Sequence, residues 1–293
     1  MSSLIRFLIV ISCPMRIDNI FRLLAIFTFV FVSSVISHAQ DSESDLAKKT
    51  QNPISDLISL PFQLNINAGI DNFSPGSGVT SADNTQWILN VQPVIPISLN
   101  EDWNLINRTI LPVVYQPEMG PGFGDEFGLG DMTHSMFFSP KESGKLVFEE
   151  VVWGVGPVFE FPTATDSSLG AGSWGLGPTA VALTMPGKWV IGGLVSNVWS
   201  LDDKDVNFGV FQYFVNYNLS DGWYLTSAPI NTVNWNADSS ERWTVPLGMG
   251  FGKVHTFGKQ PVNLSAHAYY NVEHPSLGAD WQFRLQIQLL FPK

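Results

Sequence analysis

The sequence predicts an all-β fold: a transmembrane antiparallel β-barrel of about twelve strands, with short periplasmic turns and longer extracellular loops. Three observations predict it. Apolar and polar residues alternate in one segment after another, charge is scarce, and short and long connections follow each other along the chain. Side chains point to opposite faces along a strand, so a period of two gives each strand one apolar and one polar face. Asp, Glu, Lys and Arg make up 14% of the 293 residues, aromatics make up 13%, and the mean hydropathy is +0.11. A typical soluble domain carries roughly 25% charge. Disordered chains are poor in aromatic and apolar residues, which excludes that class. A net charge of −11 with 15 basic residues argues against a nucleic-acid partner.

At the N-terminus, Arg16 and Arg22 precede an uncharged, largely apolar stretch of 14 residues from Leu23 to Ile36, followed by Ser37-His38-Ala39. This is the layout of a cleavable secretory signal over residues 1–39. The stretch is short for a membrane-spanning helix, which needs about 20 residues. Met15 is an alternative start, since residues 15–39 alone make a standard signal. Two other readings of the region are a lipoprotein box at Val10-Ile11-Ser12-Cys13 and a retained anchor helix. Cleavage after Ala39 removes three arginines and one aspartate, leaving 12 basic and 25 acidic residues and a net charge of −13. It also removes Cys13, the single cysteine, so no intramolecular disulfide or thiolate metal site is available. Residues 40–60 form a polar N-terminal segment in which Ser55 is placed to cap one helical turn ended by Pro61. Three placements are open for it: in the periplasm, inside the lumen as a plug, or as a flexible leader. The barrel is expected over 61–293.

The strands follow in order. Phe62, Leu64, Ile66, Ala68 and Ile70 oppose Gln63, Asn65 and Asn67. Trp87, Leu89 and Val91 oppose Asn90 and Gln92, and Trp103, Leu105, Leu111 and Val113 oppose Asn104 and Arg108. Phe211, Tyr213, Val215 and Tyr217 oppose Gln212, Asn216 and Asn218. Trp243, Val245, Leu247, Met249 and Phe251 oppose glycines and Thr244, and Val262, Leu264, Ala266, Ala268 and Tyr270 oppose Asn263, Ser265 and His267. The clearest strand is the last: Trp281, Phe283, Leu285, Ile287, Leu289 and Phe291 against Gln282, Arg284, Gln286 and Gln288. Weaker alternation covers 127–138, 146–161, 173–185, 188–199 and 223–232. Tight turns are expected near 100–102, 140–145, 185–188, 220–222 and 257–261. Longer polar loops are expected at 71–85, 116–126, 162–172, 200–207, 233–241 and 272–280. Prolines at 93, 96, 112, 157, 178 and 246 lack a ladder donor, so bulges or strand ends are expected there.

Aromatic residues gather where strands meet connections: Trp87, Trp103, Trp153, Trp174, Trp189, Trp199, Trp223, Trp243, Trp281 and Phe291. Two rings of aromatics at the bilayer interfaces are expected of such a barrel. A secreted β-sandwich also alternates, but low charge and this placement of tryptophan favour the membrane, which makes lipid the first partner. With the apolar parity toward lipid, the lumen-facing set is Asn90, Gln92, Arg108, Glu150, Glu160, Lys188, Asn216, His267, Gln282, Arg284, Gln286 and Gln288. Two readings of this set remain open. It either filters solutes, or its charges pair across a narrow lumen and fill it.

No cofactor is expected. The acidic loops (Asp125, Glu126, Asp131; Asp202, Asp203, Asp205) do not match a calcium-loop spacing and read as solvated. His134, His255, His267 and His274 are available as bases, and His255 and His267 lie close across a predicted hairpin. However, no G-x-S-x-G or H-E-x-x-H pattern occurs, so no enzyme is predicted.

Several shape motifs carry a resemblance: Asn52-Pro53-Ile54-Ser55-Asp56-Leu57-Ile58-Ser59-Leu60-Pro61-Phe62, Gln92-Pro93-Val94-Ile95-Pro96, residues 102–112, Gly128-Leu129-Gly130-Asp131, Gly156-Pro157, Gly175-Leu176-Gly177-Pro178 and Leu289-Leu290-Phe291-Pro292-Lys293. Across nearly all of the mature chain the sequence resembles a bacterial outer-membrane family named for phenol degradation by the meta pathway, whose members are also called transporters or neuromedin U. The resemblance implies an outer-membrane barrel, folded by the barrel-assembly machinery, that moves small and often apolar compounds; it names no substrate. Most such barrels end on the aromatic itself, whereas Pro292 and Lys293 follow Phe291 here. The expectation is therefore passive passage of a small, apolar or aromatic molecule through the lumen or a lateral opening. The alternatives are a non-transporting structural or adhesive barrel with a plugged lumen and, further off, a lipid-modifying enzyme with a Ser–His pair at the bilayer surface.

Overall fold

The computed structural model describes residues 42–74, 76–121, 124–146 and 149–292. The signal expected over 1–39 lies outside them. One helix, α1 (Glu43–Thr50), precedes the strand segments β1 (Ile58–Ser74), β2 (Gly78–Val91), β3 (Val94–Ser98), β4 (Trp103–Gln116), β5 (Glu126–Leu129), β6 (Met132–Pro140), β7 (Gly144–Leu146), β8 (Glu149–Phe161), β9 (Gly175–Thr184), β10 (Trp189–Ser200), β11 (Asn207–Asn218), β12 (Trp223–Ser227), β13 (Ile230–Asn234), β14 (Trp243–Phe257), β15 (Gln260–Glu273) and β16 (Trp281–Phe291). The segments β2–β3, β5–β6–β7 and β12–β13 are each one barrel strand with breaks, β7 continuing β6 along the edge of β8, so the wall has 12 antiparallel strands. Neighbours in sequence are neighbours in the sheet, and β1 pairs with β16 from Ile58↔Phe291 to Ala68↔Trp281. That last pairing closes the barrel and leaves no edge strand.

The sequence parity is the parity of the wall. On β16, Trp281, Phe283, Leu285 and Ile287 are 42–49% exposed while Arg284 is 3% exposed. Ile95, Ile97, Val155, Ile191, Val195, Leu225, Leu247, Met249 and Leu264 are likewise exposed on other strands. An apolar exterior running right round the barrel is a surface that lipid covers and water does not. It excludes the soluble arrangement with the large apolar residues inside.

The aromatics fall into two rings. Trp103, Trp189 and Trp223 open β4, β10 and β12, and Phe291 closes β16, all at the end with short turns. Trp153 joins them, edge-to-face with Trp103 at 6.0 Å. At the opposite end stand Trp199, Trp243 and Trp281 at strand termini, Trp174 just ahead of β9 against Phe161, and Trp87 paired with Ile66.

Turn chemistry accounts for the short end. Asp221 and Gly222 adopt positive φ, 55° and 73°, in the turn between β11 and β12, the conformation whose twist matches that of a hairpin. One expected loop is corrected. Residues 71–85 are mostly strand: Asn72, Phe73 and Ser74 pair with Thr80, Val79 and Gly78 around a tight turn. This stretch is polar because the hairpin projects beyond the aromatic ring into water, where Asn84 donates to Asn72 at 2.6 Å and the Ala82 amide to Asp71 at 3.0 Å.

The prolines behave in several ways. Pro93 falls in the break between β2 and β3, and Pro246 sits at a register shift. Pro157 and Pro178 oppose each other across β8 and β9, which puts both missing donors at one rung. Pro96 and Pro112 lie inside β3 and β4 without a break. A further interruption was not expected: at Ala228-Pro229, between β12 and β13, ladder pairing to β14 stops after Thr226↔Gly250 and resumes at Thr232↔Thr244.

Adjacent residues of opposite parity give a direct test. Leu285→Arg places a charge in lipid near the middle of β16 and is expected to destabilise the barrel by about 2–4 kcal/mol. Gln286→Glu faces the lumen and is expected to leave stability nearly unchanged. Urea unfolding in phosphatidylcholine vesicles distinguishes them, and equal effects would contradict the assigned faces.

Candidate functional site

The site is the lumen, and its first element is the N-terminal segment. Ser42 caps α1, accepting from the Asp45 amide at 3.1 Å. Glu43 and Asp45 lie in the first turn and Lys48 and Lys49 in the last, the arrangement the helix dipole favours. Leu46 and Ala47 are buried in a cluster with Leu57, Tyr224, Val254 and Leu290, so the helix occupies the inside of the barrel at the turn end. Polar contacts hold it there. The Glu43 carboxylate accepts from the Thr256 amide at 2.9 Å and pairs with His255 at 3.0 Å. Lys48 donates to the Gly187 carbonyl at 2.6 Å, and Gln51 and Asn218 exchange side-chain bonds. The chain then turns, with the Ser55 amide bonded to the Asn52 carbonyl at 3.2 Å. Of the three placements left open for residues 40–60, the described part takes the lumen. Ser42 rather than Ser55 is the helix cap, because the helix lies before the Asn-Pro pair and not after it. The first strand begins at Ile58, ahead of residue 61.

The lumen has two unlike walls. On one, Ile106, Phe137, Val181, Leu183, Val190, Leu194 and Phe214 form an apolar surface, and Ile54 of the N-terminal segment packs into it. The other wall, from β1, β2, β15 and β16, carries amides bonded in chains. Asn67 donates to Gln86 at 2.8 Å, Gln286 to Gln288 at 3.3 Å, and Asn263 to Gln288 at 3.0 Å. Between them, lined by residues of both walls and by Lys49–Pro53 of the N-terminal segment, lies a cavity of about 170 Å³.

The residues expected in the lumen divide as follows. Gln92, Arg108, Asn216, His267, Arg284, Gln286 and Gln288 line the cavity. Arg284 donates to Asn65 at 3.0 Å, to the Ala228 carbonyl at 3.0 Å and to Gln282 at 3.1 Å, and stands over the Tyr269 ring. Arg108 donates to Gln92 at 3.0 Å. Asn90 pairs with Gln63 on the inner face, and Gln282 donates to Asn67 at 3.2 Å. Glu160 is half-buried near the loop end, its rung shared with Gly175. Glu150 and Lys188 are exposed in the hairpins of the turn end. Parity assigned those two inward, but the chain has left the barrel wall at both positions. Sequence parity missed the apolar residues on the polar face, Leu290, Val254 and Tyr224, which are the floor for α1. The signal for them was the break in alternation at Leu289-Leu290.

At the loop end, acidic residues stitch loops together. Asp131 accepts from the Ala164 and Gly172 amides, at 3.0 and 2.7 Å. Asp202 accepts from the Ser173 hydroxyl at 2.7 Å, which holds its carboxyl below the usual range. Glu241 accepts from the Ser276 hydroxyl and amide, with the same effect. Among the described residues no three metal-ligating side chains converge. His255 and His267, neighbours across the predicted hairpin, lie apart: His267 pairs with Gly250, His255 with Val262. A Ser–His pair does exist, Ser265 with His267 at 3.1 Å, and Tyr269 bonds the other ring nitrogen at 2.9 Å. It faces the lumen rather than the bilayer surface. Its residues lie in the ladder with β14 and β16, His267 opposite Gly250 and Arg284.

No family model and no curated protein matches the sequence. Among solved structures the chain is similar to an outer membrane channel from Pseudomonas putida F1, at 14% identity over 80% of this chain and 96% of that one, with a TM-score of 0.61. The outer membrane phospholipase of Salmonella typhi (12% identity, 87% and 99% coverage, TM-score 0.42) and the CymD monoaromatic hydrocarbon channel (9%, 86% and 91%, 0.42) are more remote, and their scores are too low to bear on function. The first likeness shows the fold, a closed antiparallel β-barrel of the outer-membrane kind.

Two outcomes are expected. Ile54→Ala removes a buried anchor of a kind worth about 2–5 kcal/mol, so trypsin is expected to cleave after Lys48 and Lys49 in the intact barrel much faster than in the wild type; an unchanged rate would mean that Ile54 does not hold the segment. For Glu241 the sign follows from its lowered carboxyl: the contribution is present above the unfolded value and is lost as pH falls through the folded one. Hydrogen exchange at the Ser276 amide, corrected for its intrinsic pH dependence, is expected to be slow at neutral pH and fast in acid below the carboxylate range. Glu241→Ala should abolish the difference.

Proposed function

We propose that this chain is a bacterial outer-membrane channel for passive passage of small molecules of apolar or aromatic character, with residues 42–57 as its plug. The observation that carries this reading is how the lumen is filled. A purely structural barrel fills its interior with side chains of its own wall. Here a tethered segment fills the turn end, with its own helix cap and a handful of rim contacts. Its departure breaks no rung of the wall. The two-faced lumen beyond it suits solutes with an apolar body and a polar group. The fold shared with the Pseudomonas putida channel and the resemblance seen in the sequence support the same reading. The partners are outer-membrane lipids around the barrel and the barrel-assembly machinery during its insertion.

The wall also offers a side route. Between β12–β13 and β14 the ladder is interrupted from Ser227 to Asn231, so this seam holds fewer backbone bonds than the rest of the wall. The occupied lumen favours a second reading, a structural or adhesive barrel whose function lies in its loops.

Liposome swelling and benzyl alcohol uptake separate these readings. The wild type is expected to pass benzyl alcohol and to admit arabinose slowly, and deletion of residues 42–54 is expected to raise arabinose entry several-fold. A barrel impermeable to both solutes with and without the segment overturns the channel reading in favour of the structural one. The double variant Ser227→Cys/Met249→Cys, opposed by the flanking register, tests the route. Oxidation is expected to slow benzyl alcohol uptake and to spare arabinose entry in the deletion variant. Equal benzyl alcohol uptake before and after oxidation would assign passage to the lumen alone.

A further inference from the structure

The lumenal cavity has a charge opposite to that of the chain. The protein carries a net −11, yet the cavity is lined by the guanidinium groups of Arg108 and Arg284, with no aspartate or glutamate among its lining residues. Arg284 is 97% buried, being 3% exposed, and all its hydrogen-bond partners are neutral: the Asn65 and Gln282 side chains and the Ala228 carbonyl. Arg108 has one neutral partner, Gln92. Among the described residues, no ion pair involves either arginine. A guanidinium has five N–H donors and cannot give up its charge. Burying one without a counter-charge is costly, and wherever the wall needed only polar filling an amide would serve at lower cost.

We propose that this pair of arginines is a binding site for an organic monoanion: a carboxylate held between Arg108 and Arg284, with its apolar body against Val94, Phe214 and Ala228, which line the same cavity. The carboxylate accepts from the guanidinium N–H groups that Gln92, Asn65, Gln282 and Ala228 leave unused, in charge-assisted bonds of the bidentate kind that arginine favours. The inference rests on the channel reading and narrows its substrate class from apolar molecules in general to small amphipathic acids. It also explains the two unlike walls, one for each half of such a molecule. Because the plug lines the same cavity through Lys49–Pro53, the anion binds beside it rather than in its place.

Calorimetry on the full-length barrel in detergent tests the site with three probes: sodium benzoate, the neutral benzyl alcohol and sodium phosphate. Benzoate is expected to bind at least about tenfold more tightly than either of the others. This comparison needs no variant, so it stands even if a substitution disturbs folding. Arg108→Gln is expected to weaken benzoate by about tenfold or more, and Arg108→Lys to fall between it and the wild type, since lysine keeps the charge and loses the bidentate fork. Equal binding of benzoate and benzyl alcohol overturns the anion site. Phosphate binding as tight as benzoate overturns the apolar half of the proposal. Benzoate that binds but does not cross liposomes leaves the site standing and fails the channel. Benzyl alcohol that crosses while benzoate fails to bind does the reverse.

Discussion

Everything in this molecule follows from the need to pair each backbone N–H and C=O inside the protein where no water reaches them. The pairing of β1 with β16 meets that need for the last two free edges, over the full length from Ile58↔Phe291 to Ala68↔Trp281. Once the sheet is closed, its two faces have different solvents. Leu285 and Ile287 meet lipid, while Arg284, Gln286 and Gln288 meet whatever the lumen holds. The two aromatic rings then mark where each strand leaves the hydrocarbon.

Closure also fixes what the interior must be. A wall of 12 strands encloses more space than its own side chains fill. In this chain the surplus is taken up in two ways: apolar packing around Ile54 on one wall, and an amide network with two buried guanidinium groups on the other. The first is non-directional and reversible. The second is directional and rigid, since each amide is oriented by the next. A lumen built so holds a polar group in a defined place while leaving room for an apolar one to adjust.

Much of this was legible in the sequence, because period two is a local signal. The strand from Trp281 to Phe291 declares its faces without reference to any other part of the chain. Arg108, His267 and Arg284 were assignable inward by parity alone. Parity fails where the chain leaves the ladder, as at Glu150 and Lys188. It also cannot say which inward residues meet, because Arg108 and Arg284 share a cavity only after the barrel closes. The plug was hidden for another reason. An eight-residue helix with Leu46 and Ala47 as its buried residues is too short to show a helical period. Its docking floor, Tyr224, Val254 and Leu290, read as irregularity in strands that otherwise alternated. The interruption at Ala228-Pro229 fell within a segment of weak alternation, so one more proline there carried little signal.

The position of α1 has a consequence for the order of assembly. It is the earliest described element to be synthesised, yet many of its contacts come from the last third of the chain: Glu43 with Thr256, 213 residues later, and Leu46 beside Leu290. Its floor does not exist until β14 and β16 are in place, and contacts of such sequence separation form late. The barrel therefore passes through a stage with its strands formed and its bore still open. Each newly made molecule samples the unplugged state once, before the helix comes home.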